Sequence, residues 1–120
     1  MLNLSEADGR YVFHIAESAV WTSAATREYY TPREYDEEGF IHLSYAGQVR
    51  GTASRYYAGR DDLVLLAIDR QTISFALKDE NLLGGTELFP HLYAPLPVAA
   101  VTDVARVVWH AERMELEALV

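Results

Sequence analysis

The feature that most constrains the fold is the continuous apolar run inside "DDLVLLAID", residues 61–69. A strand with one face in solvent alternates apolar and polar residues, so an unbroken apolar run indicates a strand that is covered on both faces. Aspartates bound the run at both ends. We therefore expect residues 61–69 to form the central strand of the core.

The remaining pattern predicts further strands and two helices around this central strand. Alternating β-branched and aromatic residues favour strands, and apolar residues three to four apart favour helices. Serine is a preferred helix N-cap, and glycine supplies a left-handed stop. The expected strands are 10–16, 40–44, 73–78 and 98–110, and the expected helices are 18–26, capped by Ser18, and 45–59, capped by Ser44 and ended by Gly59.

Four segments are predicted to be less regular. Residues 27–39 and 79–87 are rich in charge, proline or glycine and are typical of loops. Prolines break residues 88–97, which favours an edge strand or irregular chain. The tail, 111–120, fits either a helical turn or a strand extension. Without an internal repeat or linker, residues 1–120 are expected to form a single α+β domain.

Charge and cysteine content exclude several classes of protein. The 10 basic and 18 acidic residues give a formal net charge of -8, and Lys78 is the single lysine. This charge repels nucleic acids and anionic lipid surfaces. The absence of cysteine excludes a disulfide framework and a thiolate nucleophile, and it fits a reducing compartment. With no apolar leader at the start of the sequence, we expect a soluble cytoplasmic protein.

The stretch "FIHLS", residues 40–44, is the first candidate for a functional site. Side chains alternate faces along a strand, so Ile41 and Leu43 would face the core while His42 and Ser44 point away from it. This pair would present an imidazole and a hydroxyl to a cleft. The simpler alternative is a half-exposed strand whose serine caps the next helix.

A second histidine, His14, lies on the first predicted strand in "FHIA" and shares a face with Val12 and Ala16. On its own it is typical of a buried histidine with satisfied hydrogen bonds. Together with His42 it fits a mostly apolar pocket on which a few polar groups converge. The two histidines are therefore considered together as candidate ligand-binding residues.

Sequence motifs favour neither a metal site nor a serine hydrolase. His14, His42, His91 and His110 include no close pair and no H-E-x-x-H motif, so a metal site would need convergence in the fold. No G-x-S-x-G motif is present for a Ser-His-Asp hydrolase. We therefore expect no metal site.

A late carboxylate and the tyrosines complete the candidate residues. Glu87 follows the glycines of "LLGGT" and precedes His91 and Tyr93, which would place a carboxylate near the mouth of the domain. The alternative is an ordinary solvated glutamate. The eight tyrosines favour a ligand surface slightly, because tyrosine combines apolar area with a polar tip.

The ordered series "FHIA", "EYYTP", "GFIHLS", "GQVRGTASRYY", "DDLVLLAID" and "FPHLYAPLP" resembles a bacterial family known as domain of unknown function 952. The similarity covers about residues 10–108 and leaves the tail, 111–120, outside. The family name carries no activity.

More distantly, the same segments are similar to the ADP-ribosyltransferase-like fold and, within it, to RNA 2'-phosphotransferases. This resemblance implies a small split antiparallel β-sheet with two helices that clasps NAD in a central cleft. His14 would match the histidine that holds the ribose, and His42 and Ser44 would match the second-strand motif. Glu87 would stand for the late catalytic glutamate. Arg50 and Arg55 could serve an RNA phosphate, but the net charge opposes RNA.

The resulting hypothesis is a domain that binds NAD or a related nucleotide through His14, His42, Ser44 and His91. Glu87 and His42 would be the catalytic residues of ADP-ribosyl transfer, in which a carboxylate stabilises the oxocarbenium-like charge on the ribose. One alternative is a catalytically silent module of the same fold that binds a small metabolite or a protein. Another is a subunit that self-associates through its tyrosine-rich surface.

Overall fold

The computed structural model describes Leu2, Leu4 and residues 9–119. Strands and helices alternate irregularly along this part of the chain. The nine strands are β1 (Tyr11–Glu17), β2 (Tyr29–Tyr30), β3 (Ile41–His42), β4 (Leu63–Asp69), β5 (Leu77–Glu80), β6 (Phe89–Leu92), β7 (Leu96–Pro97), β8 (Val101–His110) and β9 (Arg113–Ala118). The α-helices are α1 (Ser18–Ala24), α2 (Tyr35–Glu38) and α3 (Val49–Tyr56), and 3-10 turns cover Ala46–Gln48, Arg70–Ala76 and Val98–Ala100.

The strands form three antiparallel sheets. The largest has the order β1-β4-β8-β9, a second has the order β3-β6-β5, and β2 pairs with β7. Every strand pair in these sheets is antiparallel. The fold is therefore mixed α+β with antiparallel sheets and few helices, as expected.

The apolar run of 61–69 forms the central strand, which confirms the prediction. β4 lies between β1 and β8, and residues 63–68 are all buried. Leu66 and its alternate neighbours pack into one apolar cluster, while Leu65 and its alternate neighbours pack into another on the opposite face. The strand is apolar throughout because both of its faces are covered.

Different elements cover the two faces of the large sheet. Ile41 of β3 and Leu92 of β6 join the cluster on the Leu66 side, so the three-stranded sheet packs there. Val49 and Ala53 of α3 join the cluster on the Leu65 side. The helix and the small sheet thus lie on opposite faces of the large sheet.

A short bridge joins the small sheet to the large one. The backbone N–H groups of Phe13 and Ser44 each donate to the carbonyl oxygen of the other residue, both at 2.8 Å. The chain that follows β3 is therefore fixed against β1. This bridge brings His42 close to His14, although the two are far apart in sequence.

Both predicted serine caps are wrong. Helix α1 has Glu17 as its N-cap without a side-chain cap, and the backbone N–H of Ser18 donates to the carbonyl oxygen of Asp62. The turn before α3 starts at Tyr45, whose N–H donates to the side chain of Gln48. Ser44 is held in the bridge to β1 instead.

Several element boundaries also differ from the predictions. Residues 73–76 belong to a 3-10 turn, and the strand begins only at Leu77. Residues 98–100 likewise form a 3-10 turn before β8. The expected loop 27–39 contains β2 and α2, and the expected edge segment 88–97 contains β6, the middle strand of its sheet.

The C-terminal tail forms a strand and not a helical turn. β9 forms a hairpin with β8, in which His110 pairs with Arg113 across a turn where Ala111 has φ +59°. Val120 lies outside the described residues. Among the helices in the described part of the chain, none has the length and apolar character needed to cross a membrane.

Candidate functional site

Two of the sequence-predicted histidines meet across neighbouring strands. In the β3–β6 ladder His42 lies directly opposite His91, and their ring centroids are 5.3 Å apart. Ile41 and Leu92, the adjacent pair in the same ladder, are fully buried in the core. Because side chains alternate faces, the two histidines project together from the outer face of the small sheet.

Each histidine donates one ring N–H to its own carboxylate. Nε2 of His42 lies 3.1 Å from Oε2 of Glu38, and Nδ1 of His91 lies 2.9 Å from Oε1 of Glu80. An ionised carboxylate only accepts, so these contacts fix which nitrogen carries the proton in the neutral ring. The second nitrogen of each ring, Nδ1 of His42 and Nε2 of His91, has no hydrogen-bond partner among residues 9–119 and is left to accept a hydrogen bond.

The Glu80 carboxylate accepts the hydrogen bonds that orient His91 and Tyr93. It accepts hydrogen bonds from the Tyr93 hydroxyl and from His91, and Lys78 Nζ lies 3.3 Å from its other oxygen. These donors, the tyrosine first and the histidine second, lower the pKa of Glu80 to about 2. The pKa of Tyr93 is raised because its hydroxyl donates to that carboxylate. At neutral pH Glu80 is therefore ionised and holds the His91 ring in one orientation.

Aromatic rings surround the two imidazoles. The Phe40 ring packs against those of His42, His91 and Tyr93, with centroid distances of 4.7, 4.5 and 5.3 Å. Phe40 is buried, whereas the side chain of His42 is 53% exposed and Tyr93 is 43% exposed. We call Glu38, Phe40, His42, Glu80, His91 and Tyr93 the histidine cluster. Its exposed rings are those of His42 and Tyr93, and they lie against the buried rings of Phe40 and His91.

His14 lies behind this cluster and supports it from the core. Its Nδ1 donates to the carbonyl oxygen of His42 at 2.7 Å, so Nε2 is the acceptor for the Tyr30 hydroxyl at 2.8 Å. Burial lowers the pKa of His14 to about 4 and raises the pKa of Tyr30. His14 is therefore neutral at pH 7, and it fixes the backbone of the two-residue strand β3.

The other two sequence-predicted residues lie apart from the histidine cluster. Ser44 is buried, and its hydroxyl is 3.5 Å from that of Thr52 on α3. Glu87 is exposed and accepts a hydrogen bond from Nε2 of Gln48 at 3.1 Å. Among the described residues neither side chain hydrogen-bonds to a histidine, and no three His, Asp or Glu side chains are placed to hold a metal ion.

The sequence reasoning missed the two carboxylates that orient the histidines. Glu38 is four residues before His42, but the chain reverses at Gly39, whose φ is +80°, so no helical or strand spacing links the two. Glu80 lies on β5 and reaches His91 only because β5 pairs with β6. The segment around Glu80 was expected to be a loop, which hid this contact.

The arrangement is suited to binding hydroxyl or amide groups and to proton transfer. A carboxylate that orients one nitrogen of an imidazole makes the opposite nitrogen a directed acceptor. The exposed ring of His42 and the buried ring of His91 lie side by side, and the exposed Tyr93 ring next to them offers a face that a planar group can cover.

Comparison with known proteins places the chain in a family. Residues 15–104 match the model of the family described as "Protein of unknown function (DUF952)". The crystal structure of protein CC0527 from Caulobacter crescentus is similar, with a TM-score of 0.79 and 34% sequence identity over 88% of this chain and 93% of that chain. The solution NMR structure of CC0527 has a TM-score of 0.74 and 35% identity over 88% of this chain and 90% of that chain.

No curated protein matches the sequence. The family model spans most of the chain, from within β1 into β8, and includes His42, Glu80 and His91. The resemblance drawn from the sequence motifs is confirmed at the level of this family. The chain belongs to the DUF952 family.

Proposed function

We propose that the protein binds a nucleotide of the NAD type at the histidine cluster. The observation that carries this proposal is the pair of opposed imidazoles, His42 and His91, each oriented by its own carboxylate and each with one nitrogen left to accept. The resemblance of the sequence motifs to ADP-ribosyltransferase-like proteins supplies the ligand class.

The cluster offers a separate contact for each part of such a ligand. A nicotinamide or adenine ring stacks on the exposed faces of His42 and Tyr93. Ribose hydroxyls donate to the open imidazole nitrogens. Lys78, whose side chain is 67% exposed beside Glu80, is a cation available to a phosphate. The net charge of -8 opposes a polyanion far more than a compact dinucleotide.

If the ligand reacts, the reaction proposed is transfer of ADP-ribose. The bond from ribose to nicotinamide breaks, nicotinamide leaves with the bonding electrons, and an acceptor nucleophile, water or a hydroxyl group, forms the new bond at the same carbon. A carboxylate stabilises the positive charge that develops on the ribose. Both oxygens of Glu80 are already occupied by donors, so Glu80 serves to position His91. Two exposed carboxylates are candidates for the charge-stabilising role: Glu87, from the resemblance, and Glu38, which lies within the cluster. His42 would orient the ribose.

The second candidate function is a silent binding module that has the same cluster and carries out no transfer. It is favoured by the contacts of His14 and Ser44, which are buried and hydrogen-bonded to other parts of the protein. A site with the exposed His42 and the largely buried His91 as its imidazoles has fewer groups for catalysis. This module would bind the ligand and release it unchanged.

Thermal unfolding with NAD, ADP-ribose and nicotinamide tests binding. A ligand at 100 times its dissociation constant adds about 2.7 kcal/mol to the free energy of unfolding. We expect ADP-ribose and NAD to raise the melting temperature of the native protein and of His110→Gln, an exposed histidine outside the cluster. His42→Gln should lose most of the shift. No shift with any of the three compounds at millimolar concentration would refute the proposal.

Nicotinamide release distinguishes the enzyme from the silent module. We expect the native protein to release nicotinamide from NAD, and Glu87→Gln or Glu38→Gln to stop release while the melting shift remains. Release by both variants at the native rate would remove these carboxylates from the reaction. Binding without release by the native protein would identify the silent module.

A further inference from the structure

A second site lies in a pocket outside the histidine cluster. It is formed where the end of β1, strand β2 and the chain after α3 meet, and its volume is about 120 Å³. Its polar lining comes from Glu17, Tyr30, Glu34, Tyr57 and Arg60. We call it the tyrosine pocket. No sequence motif predicts it, because its residues come from three separate segments.

The floor of the tyrosine pocket is the buried hydroxyl of Tyr30. This hydroxyl donates to Nε2 of His14, because Nδ1 of that ring already donates to a backbone carbonyl. The tyrosine oxygen therefore keeps a lone pair with which to accept a hydrogen bond. A ligand N–H group that reaches this oxygen meets a hydrogen-bond acceptor.

The carboxylates around the pocket outnumber the arginines that pair with them. Arg60 is held by two contacts to Asp62, at 2.9 and 2.6 Å, and by one to Glu17 at 3.2 Å. Glu17 also binds Arg33 at 2.8 Å. Glu34 is exposed, and among residues 9–119 its carboxylate has no hydrogen bond or ion pair. Glu34 is thus an anion at the pocket without a cation.

The pKa values of the two tyrosines in the pocket respond to the same negative charge. The pKa values of Tyr30 and Tyr57 are both raised, first by burial and then by the charge of Glu34. Deprotonation of either hydroxyl, which would add a negative charge near that of Glu34, is therefore disfavoured. The same field favours a positive group in the pocket.

The volume limits the size of that group. On this measure a cavity needs about 10–15 Å³ to hold one water molecule, so a pocket of about 120 Å³ has room for a compact group of several non-hydrogen atoms. We propose that the tyrosine pocket binds a compact organic cation, an alkylammonium or alkylguanidinium group, through the Glu34 carboxylate and the Tyr30 hydroxyl oxygen.

NMR titration of the full chain with methylguanidinium and ethylammonium tests this site, with propionamide as a neutral ligand of similar size and sodium chloride matching the ionic strength. We expect saturable shifts of the Tyr30 and Tyr57 ring signals, with a dissociation constant on the order of millimolar for so small a ligand. Propionamide should produce no saturable shift. Equal binding of the neutral ligand, or shifts that sodium chloride reproduces, would overturn the proposal.

Variants separate this site from the histidine cluster. Glu34→Gln should weaken binding of the cation about fivefold, the effect of removing one nearby charge in a solvated setting. Glu112→Gln, an exposed glutamate in the β8–β9 turn, should leave the affinity unchanged, as should His42→Gln. Unaltered affinity in Glu34→Gln would refute the assignment. Because His42→Gln acts only on the nucleotide proposal, either proposal can fail without the other.

Discussion

Replacing His14 by asparagine should remove much of the loss of stability between pH 6.5 and pH 4. His14 is buried, and its pKa is lowered from 6.5 to about 4, mainly because burial disfavours the charged ring. Below pH 6.5 the unfolded chain takes up a proton that the folded protein does not. The contribution of His14 to stability is therefore complete above pH 6.5 and is lost as the pH falls toward 4.

The size of the effect follows from the shift of the pKa. Each unit corresponds to 1.36 kcal/mol, so a shift from 6.5 to about 4 is worth about 3 kcal/mol. Near pH 5 this single group should contribute a slope of about 1.4 kcal/mol per pH unit to the free energy of unfolding. Asparagine offers an N–H that can donate to the His42 carbonyl oxygen, and it does not titrate.

Urea unfolding at a series of pH values, followed by tryptophan fluorescence, measures this slope. The native protein and His110→Asn, which changes an exposed histidine, should lose stability in parallel as the solution is acidified. His14→Asn should be less stable at pH 7 but should lose about 3 kcal/mol less between pH 6.5 and pH 4. Equal pH dependence in His14→Asn and the native protein would show that His14 is not held neutral.

Three further substitutions test the core, the cluster and one turn. Leu66→Ala, in the fully buried middle of β4, should cost about 2–5 kcal/mol of unfolding free energy in urea; a cost below 1 kcal/mol would contradict its burial. Glu80→Gln should lower the pKa of Tyr93, measured by ultraviolet titration, because that carboxylate raises it; an unchanged pKa would exclude the contact. Gly39→Ala should cost about 1–2 kcal/mol because φ is +80° there, whereas Gly47→Ala, where φ is not positive, should cost less; equal costs would argue against this turn.

The central strand and the face of His42 could be predicted because local sequence determines both. An apolar run needs cover on both faces wherever it lies, and alternation puts Ile41 in the core and His42 outside regardless of which strand is adjacent. The family could be recognised for the same reason, since its motifs are local. These predictions did not depend on knowing which strands pair.

The partners of His42 could not be predicted because they depend on strand pairing. β6 contains Pro90, and proline favours edge strands, yet β6 is the middle strand. In an antiparallel strand the N–H and C=O of a residue point to the same side. The Pro90 carbonyl accepts from Leu43 at 3.0 Å, so the missing N–H faces the two-residue strand β3 and leaves pairing with β5 intact.

The serine caps failed because contacts from distant segments replaced local ones. A helix N-cap interacts only with the first turn of its own helix, so local sequence preferences favour Ser18 and Ser44 as caps. In the fold, both serines have their backbone N–H groups bound to distant carbonyl oxygens, of Asp62 and Phe13. The Ser44 bridge holds the chain after β3 against β1 and brings His42 close to His14.

NMR of the histidine rings during titration with ADP-ribose tests the nucleotide proposal most directly. Each ring reports its own site, and the four histidines divide into two in the cluster, one in the core and one exposed on β8. We predict saturable shifts of the nitrogen signals of His42 and His91, with the signal of His110 unchanged. Shifts at neither His42 nor His91 at millimolar ADP-ribose would contradict it.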